Sequence, residues 1–508
     1  MRGSKIMNAR KSIYNILSGL LGQGIAILLG IMIPRLVIVN LGSESNGLLS
    51  SVNQMLIYLN LLESGVGTAA LQSLYRPVAE KNISKINSIL SAVNRFYKRI
   101  GIWYLLTVSA LALLFPLFLQ SDLPFSVICP VVLLSGLTQA ASFVVCGTCR
   151  LLIQAEGQNY VLNNVQTFVS VFTAIGKIVL LLQGYHLAAI QTMYFAVSLS
   201  QFAFIRFYMK RQHPWLNFSA VPNHGALSQK HSVLIHQISG LIFQNTDVLI
   251  LTFACGLKTV SVYTMYVMLF GMIATVISTV NSGMSFVMGQ TYHTNREKFF
   301  RLYDTFETYN MALTFSLYCT AHIFILPFLK IYTRGVTDIN YIDPRLPFLF
   351  TTTYLLSNGR SAAQRVIEYA GHFQKTQKQS LIESAINIFV SLICVFRFGI
   401  YGVLLGTIAA LLYRTNDMIR YASENLLGRP PWITLKKWGS YMALYLVNLA
   451  VFWNHPINQL NDYGSLIIAA GIICLIIVPE FFILGSLVDK TSFYYCRRYL
   501  QRKKQILS

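Results

Sequence analysis

Apolar runs of about 18 to 25 residues, separated by short polar segments, recur along the whole chain, and a run of that length crosses the hydrocarbon core of a bilayer as a helix. Read in order, they predict helical spans near 13–37, 48–72, 100–119, 125–147, 161–182 and 187–208. A polar segment with Pro214, Pro222, Gly225, His213, His224 and His231 then interrupts the pattern. Further spans follow near 233–254, 260–286, 305–329, 345–366, 381–396 and 399–415, with two more near 438–454 and 464–487. The pattern predicts an all-α polytopic membrane protein of 14 transmembrane helices. Residues 1–209 hold spans one to six, 210–232 a cytoplasmic linker, 233–423 spans seven to twelve, and 424–508 the last two spans and a basic tail.

Inside this apolar pattern some polar residues keep helical register. In 162–182, LNNVQTFVSVFTAIGKIVLLL, the residues Asn163, Gln166, Ser170, Thr173 and Lys177 recur at spacings of three and four and so share one face. A charge at mid-bilayer costs about 3 kcal/mol or more, so this stripe is expected to face water or protein and to form one wall of a cavity. The competing expectation is that Lys177, five residues before Leu182, snorkels to the headgroups. The tenth span repeats the device with Thr353, Ser357, Arg360 or Ser361, Gln364 and Glu368. Arg360 and Glu368 stand too far apart on a helix to pair directly. With Arg35 of the first span, Lys177 and Arg360 make a candidate cationic site.

Glu63 and Asp247 are carboxylates set within apolar spans; Glu63 follows Asn60 and precedes Gly67, and Asp247 shares a face with His236 and Gly240. A buried carboxylate has a strongly environment-dependent pKa and can take up H⁺ or Na⁺. These two are therefore candidate ion-coupling groups, or else neutralise a cavity arginine. Arg345, Arg365, Glu368 and Glu480 fall near expected span ends and read as interfacial.

Composition removes other classes. With 54% hydrophobic residues, 11% charged residues and a mean hydropathy of +0.54, a chain of 508 residues cannot hide its apolar surface in a soluble core. The net charge of +22 does not imply nucleic acid, because the basic residues gather in the segments expected to be cytoplasmic. Outside segments hold only Lys258, Lys330, Arg334 and Arg397. This asymmetry places both termini in the cytoplasm and puts Asn46 and Asp462 outside. The apolar run after MRGSKIMNARK is too long for a signal peptide and is expected to remain as the first span. The tail SFYYCRRYLQRKKQILS suits anionic headgroups. The eight cysteines form no external framework, and Cys146-Gly-Thr-Cys149 has no second pair or histidine beside it. No phosphate loop, HExxH zinc site or G-x-S-x-G elbow occurs, so neither an enzyme, a metal nor an organic cofactor is expected.

The two halves echo each other. Ser18-Gly19-Leu20 of the first span is matched by Ser239-Gly240-Leu241 of the seventh, and Gly42 by Gly256 in the loops that follow. Both halves begin on the cytoplasmic side, so such a repeat is parallel.

The segments NTDVLILTFACGLKTVSVYTMY (245–266), YAGHFQKTQKQSLIESAINIFVSL (369–392) and FGIYGVLLGTIAALLYRTNDMIRY (398–421), with SGLLGQGIAILLGIMIPRLVIVNLGSESNGLLSSVNQML near the N-terminus, resemble the Wzx-type oligosaccharide flippases. That family belongs to the MOP superfamily, with the MATE exporters and the lipid II flippase. The resemblance implies two six-helix lobes related by a pseudo-twofold plus two C-terminal helices, alternating access, and a bacterial cytoplasmic membrane location. It also implies an undecaprenyl-diphosphate-linked oligosaccharide as cargo for capsule or O-antigen assembly, with polysaccharide polymerase machinery as a partner beyond the lipid bilayer. Competing functions are a MATE-like small-cation antiporter, which the basic residues disfavour, and a multispan glycan polymerase, which the short outer loops disfavour.

Overall fold

The computed structural model describes residues 2–119, 121–222, 230–372, 374–452, 460–495 and 497. Linker residues 223–229 and tail residues 498–508 lie outside the described residues, as does the side chain of His236. Among the described residues the regular elements are all helical: α1 (Arg2–Leu41), α2 (Ser43–Leu59), α3 (Leu61–Ala79), α4 (Ile83–Phe118), α5 (Phe125–Ala141), α6 (Thr148–Ala155), α7 (Asn159–Leu182), α8 (Leu187–Gln212), α9 (Lys230–Thr294), α10 (Arg296–Tyr332), α11 (Leu346–Gly359), α12 (Ser361–Tyr369), α13 (Gln377–Phe398), α14 (Ile400–Tyr421), α15 (Trp432–Phe452) and α16 (Tyr463–Val488). Each expected span falls on a helix or a broken pair of helices, and nine of the described helices are long and apolar enough to cross a membrane. The chain is a polytopic α-helical membrane protein.

Three helices begin well before their expected spans, α1 among them at Arg2. α4 starts at Ile83 and α10 at Arg296, because charged residues there alternate with a buried apolar stripe that average hydropathy does not register. In α4 that stripe is Ile86, Ile89, Leu90 and Val93.

The repeat suspected from sequence is written in the backbone. Gly42 (φ 83°, ψ 167°) and Gly256 (φ 80°, ψ 171°) adopt nearly the same conformation, one that costs an L-residue with a β-carbon. Gly157 (φ 71°) is matched by Gly371 (φ 68°), 214 positions later as with the first pair. The helix caps repeat as well: Asn82 accepts a hydrogen bond from the Lys85 amide at 3.0 Å, and Asn295 accepts one from the Lys298 amide at 2.9 Å. Each cap occupies an orphan amide at the start of a long helix. The charged candidates do not repeat; 214 positions beyond Lys177 stands Ser391, buried against Gly406.

The chain divides into two compact units, Met1–Ser261 and Val262–Ser508. The first takes in α9 as far as Ser261 as well as the segment expected as lobe 1–209. Its principal core gathers Val66, Leu74, Val93, Tyr97, Leu152 and Phe202. The second unit centres on Phe299, Tyr303, Val366 and Ile419. There α13 and α14 pack closely, since a side chain at Gly402 would strike the Cys394 carbonyl, as its small-xxx-small pattern requires. α15 and α16 dock on α10: Tyr441 donates to the Thr308 carbonyl at 2.9 Å and Tyr445 shares a 2.8 Å hydrogen bond with His322. Glu480, expected near a span end, sits well inside α16 and accepts from Asn448 at 3.2 Å.

Candidate functional site

α7 presents four faces. Phe168, Phe172, Ile175, Val179 and Leu182 are exposed, and at about 100° per residue they cluster near 180° from Lys177. An exposed aromatic and aliphatic stripe on such a helix is its lipid face. On one flank α1 approaches at Gly19 and Gly22, where β-carbons would meet Asn163 at 3.8 Å and Thr167 at 2.7 Å. On the other flank α8 approaches, with Gly176 receiving the Met193 side chain. The polar stripe lies between these two flanks and touches both, α1 through Asn163 and α8 through Gln166. Gln166 is exposed and accepts from Gln201 at 3.0 Å, Thr173 is buried, and Asn163 and Ser170 are partly buried. Lys177 is partly buried too, its ammonium 5.5 Å from the centroid of the Tyr194 ring, a cation–π distance. The stripe thus turns away from the lipid side. Arg35 lies in the C-terminal part of α1, beside the turn that packs through Val37 on Leu181 and Ile190, and is partly buried.

Arg360 is placed differently from the open cavity cation expected of it. It is the single residue between α11 and α12, at the break in the tenth span. Its side chain is buried and donates through Nη1 to Glu383 on α13 at 2.8 Å. Glu383 also faces Arg414 of α14 at 3.6 Å, and Arg414 in turn binds Asp417 at 2.6 Å. Two guanidiniums and two carboxylates therefore balance within one buried cluster, where an unpaired charge would be costly. Ser357 is partly buried, and Gln364 is exposed and donates to Glu368 at 2.9 Å. Glu383 and Arg414 were missed because each stands alone in its run. The findable signal was the spacing of Glu383, Asn387 and Ser391 at intervals of four, a buried polar face of α13.

The two candidate carboxylates of the first unit, Glu63 and Asp247, are partly buried and buried respectively. Glu63 folds back over Gly67, where a β-carbon would lie 2.6 Å from its Oε1, and accepts from the buried Tyr97 hydroxyl at 2.6 Å. This pair sits just beyond Asn60, where α2 gives way to α3. Asp247 is buried on α9. It lies beside a seam in which α2 and α9 run antiparallel: Tyr58 hydrogen-bonds Thr246 at 2.7 Å, Gln54 bonds Asn245, Ser51 bonds Thr252 at 2.7 Å, and Asn46 donates to Ser261 at 2.9 Å. Gly47 lets the helices touch, since any side chain there would meet the Leu257 carbonyl. Asn46, expected in an open outer loop, is instead buried in α2 because the helix begins directly after the Gly42 turn. Glu44 extends the seam, accepting from Ser121 at 2.7 Å and pairing with Lys258 at 3.4 Å. Among the described residues no group of three or more His, Cys, Asp or Glu is arranged to hold a metal ion.

No protein-family model and no curated protein sequence matches the chain. Solved structures do. A lipid II flippase MurJ in an inward closed conformation aligns over 93% of this chain and 98% of its own, with TM-score 0.67 at 12% identity. An inward-facing multidrug resistance MATE family transporter of the MOP superfamily aligns over 77% and 95%, with TM-score 0.60 at 15% identity. An outward-facing MATE family transporter of the same superfamily aligns over 81% and 94%, with TM-score 0.55 at 15% identity. At such identities the likeness is one of fold, and the chain has the fold of the MOP-superfamily transporters.

Proposed function

We propose that this protein is a flippase that carries polyprenyl-diphosphate-linked oligosaccharide repeat units from the cytoplasmic to the outer leaflet of a bacterial cytoplasmic membrane, for capsule or O-antigen assembly. The observation that carries the reading is the α7 stripe. A lysine and a row of amides and hydroxyls face away from lipid, opposite a stripe of exposed Phe, Ile, Val and Leu. An ammonium suits a diphosphate, amides and hydroxyls suit sugar, and a prenyl chain can stay in lipid. The fold relatives include a protein described as a lipid II flippase, whose cargo is also a lipid.

The remaining groups take roles in this scheme. Arg35 and Lys177 attract the diphosphate, with Asn163, Gln166, Ser170 and Thr173 as the polar wall. In the second unit, Arg360 acts from its ion pair, and Ser357 and Gln364 offer polar groups to the sugar. Glu63 or Asp247 couples transport to H⁺ or Na⁺, and the α2–α9 seam parts to release cargo outside. Both termini are cytoplasmic across fourteen crossings, and the polymerase machinery receives the product. A cationic drug, the cargo of the alternative exporter reading, would be repelled by Lys177.

Deleting the gene tests the proposal. Lipid-linked repeat units should accumulate on the cytoplasmic leaflet; unpolymerised units at the outer face would instead indicate a polymerase.

A further inference from the structure

Two cavities open side by side in the second unit, where α10 begins and α16 ends. One, of about 650 Å³, is walled by Phe300, Tyr303, Trp432, Ile433 and Val488 and edged by Arg429 and Lys436. The other, of about 410 Å³, is lined by Arg301, Asp304, Tyr494 and Tyr495. Asp304 and Thr491 line both, so the cavities meet at that carboxylate.

Charges of both signs line this double cavity, and most of them are paired. Arg429 binds Asp304 and Glu307, while Lys437 is held between Glu307 and Asp489 at 3.0 Å from each. Arg301 is occupied by Glu297. Two cations against three carboxylates leave this inner cluster with one negative charge, and Asp304, with 35% of its side chain exposed, is the carboxylate that reaches the opening. Lys436 is exposed at the first cavity, and the buried Arg429 Nε has no hydrogen-bond acceptor among the described residues. Lys436 and Asp304 are thus the charges that reach the openings, and the whole is neutral. Trp432 and Tyr494 are 69% and 57% exposed beside it, the aromatic signature of a water–lipid boundary.

We propose that this double cavity binds the headgroup of an ethanolamine phospholipid. The ammonium lies at Asp304 against the faces of Tyr494 and Tyr495, where cation–π attraction adds to charge pairing. The phosphate lies at Lys436, on the side of the cavity that Arg429 edges, and the acyl chains leave over Trp432, Ile433 and Val488. A lipid with a purely anionic headgroup would satisfy Lys436 but place no cation at Asp304.

The test offers the delipidated full-length protein in detergent an equimolar mixture of palmitoyl-oleoyl phosphatidylethanolamine and phosphatidylglycerol, with retained lipid counted by native mass spectrometry. Phosphatidylethanolamine should be retained in preference. Tyr494→Ala and Lys436→Gln should each lower its occupancy roughly fivefold, the scale of one lost cation–π or charge-assisted contact. Both side chains are exposed, so these variants test binding independently of folding. Asp304→Asn, which also loosens Arg429, should abolish the preference for phosphatidylethanolamine. Equal retention of the two lipids by the unaltered protein, or unchanged occupancy in both Tyr494→Ala and Lys436→Gln, would overturn the proposal.

Discussion

Arg360 and Glu383 meet at 2.8 Å across the break between α11 and α12, with both side chains buried. The residue at the break is thereby tied to α13, and through Arg414 to α14. A buried ion pair contributes little net stability over an apolar replacement, but removing one partner strands the other. Glu383→Gln leaves Arg360 and Arg414 without their shared carboxylate, and should destabilise the detergent-solubilised protein by about 3 kcal/mol. The double variant Arg360→Gln, Glu383→Gln should recover much of that loss in thermal unfolding. Additive losses in the double variant would show that the two residues act separately.

Lys177 has a different role, because its charge is held by an aromatic ring. Lys177→Glu should abolish surface polymer export at normal protein levels, whereas Lys177→Arg should retain much of it, since guanidinium also satisfies both the ring and a diphosphate. Normal export by the glutamate variant would remove the residue from the cargo path.

Glu63 and Asp247 are tested by neutralisation. With Glu63→Gln or Asp247→Asn, transport in vesicles should stop or lose its dependence on an imposed H⁺ or Na⁺ gradient. Tyr97→Phe, which removes the 2.6 Å hydrogen bond to Glu63, should shift that dependence without abolishing transport. Wild-type rates and ion dependence in both carboxylate variants would make these groups structural.

The α2–α9 seam can be locked. Ser51 and Thr252 place their hydroxyl oxygens 2.7 Å apart, close enough for a disulfide, whose S–S bond is about 2.05 Å. In a background without the native cysteines, Ser51→Cys with Thr252→Cys should lose transport when oxidised and regain it on reduction. Full activity of the oxidised protein would show that the seam does not open during transport.

Much of this fold is legible in the sequence because each apolar run is its own signal, and Gly42 and Gly256 mark the same turn in both halves. The α7 stripe was legible for the same reason: five polar residues lie on one unbroken helix. Arg360 was not, because it stands where the helix breaks; past Gly359 the register that put it in line with Ser357 and Gln364 no longer fixes its direction. Its partner Glu383 comes from another helix, and no spacing within one span reveals a contact made between spans. The early starts of α4 and α10 were hidden by charged residues that lower average hydropathy while Ile86, Ile89 and Val93 still pack.

Transport itself is tested most directly with the purified protein in liposomes. A fluorescent polyprenyl-diphosphate-linked disaccharide confined to one leaflet should cross to the other at a rate that depends on the protein, rises with an imposed ion gradient, and falls to the protein-free rate with Lys177→Glu. A protein-dependent rate no faster than that of empty liposomes, with the protein folded and a gradient imposed, would contradict the account.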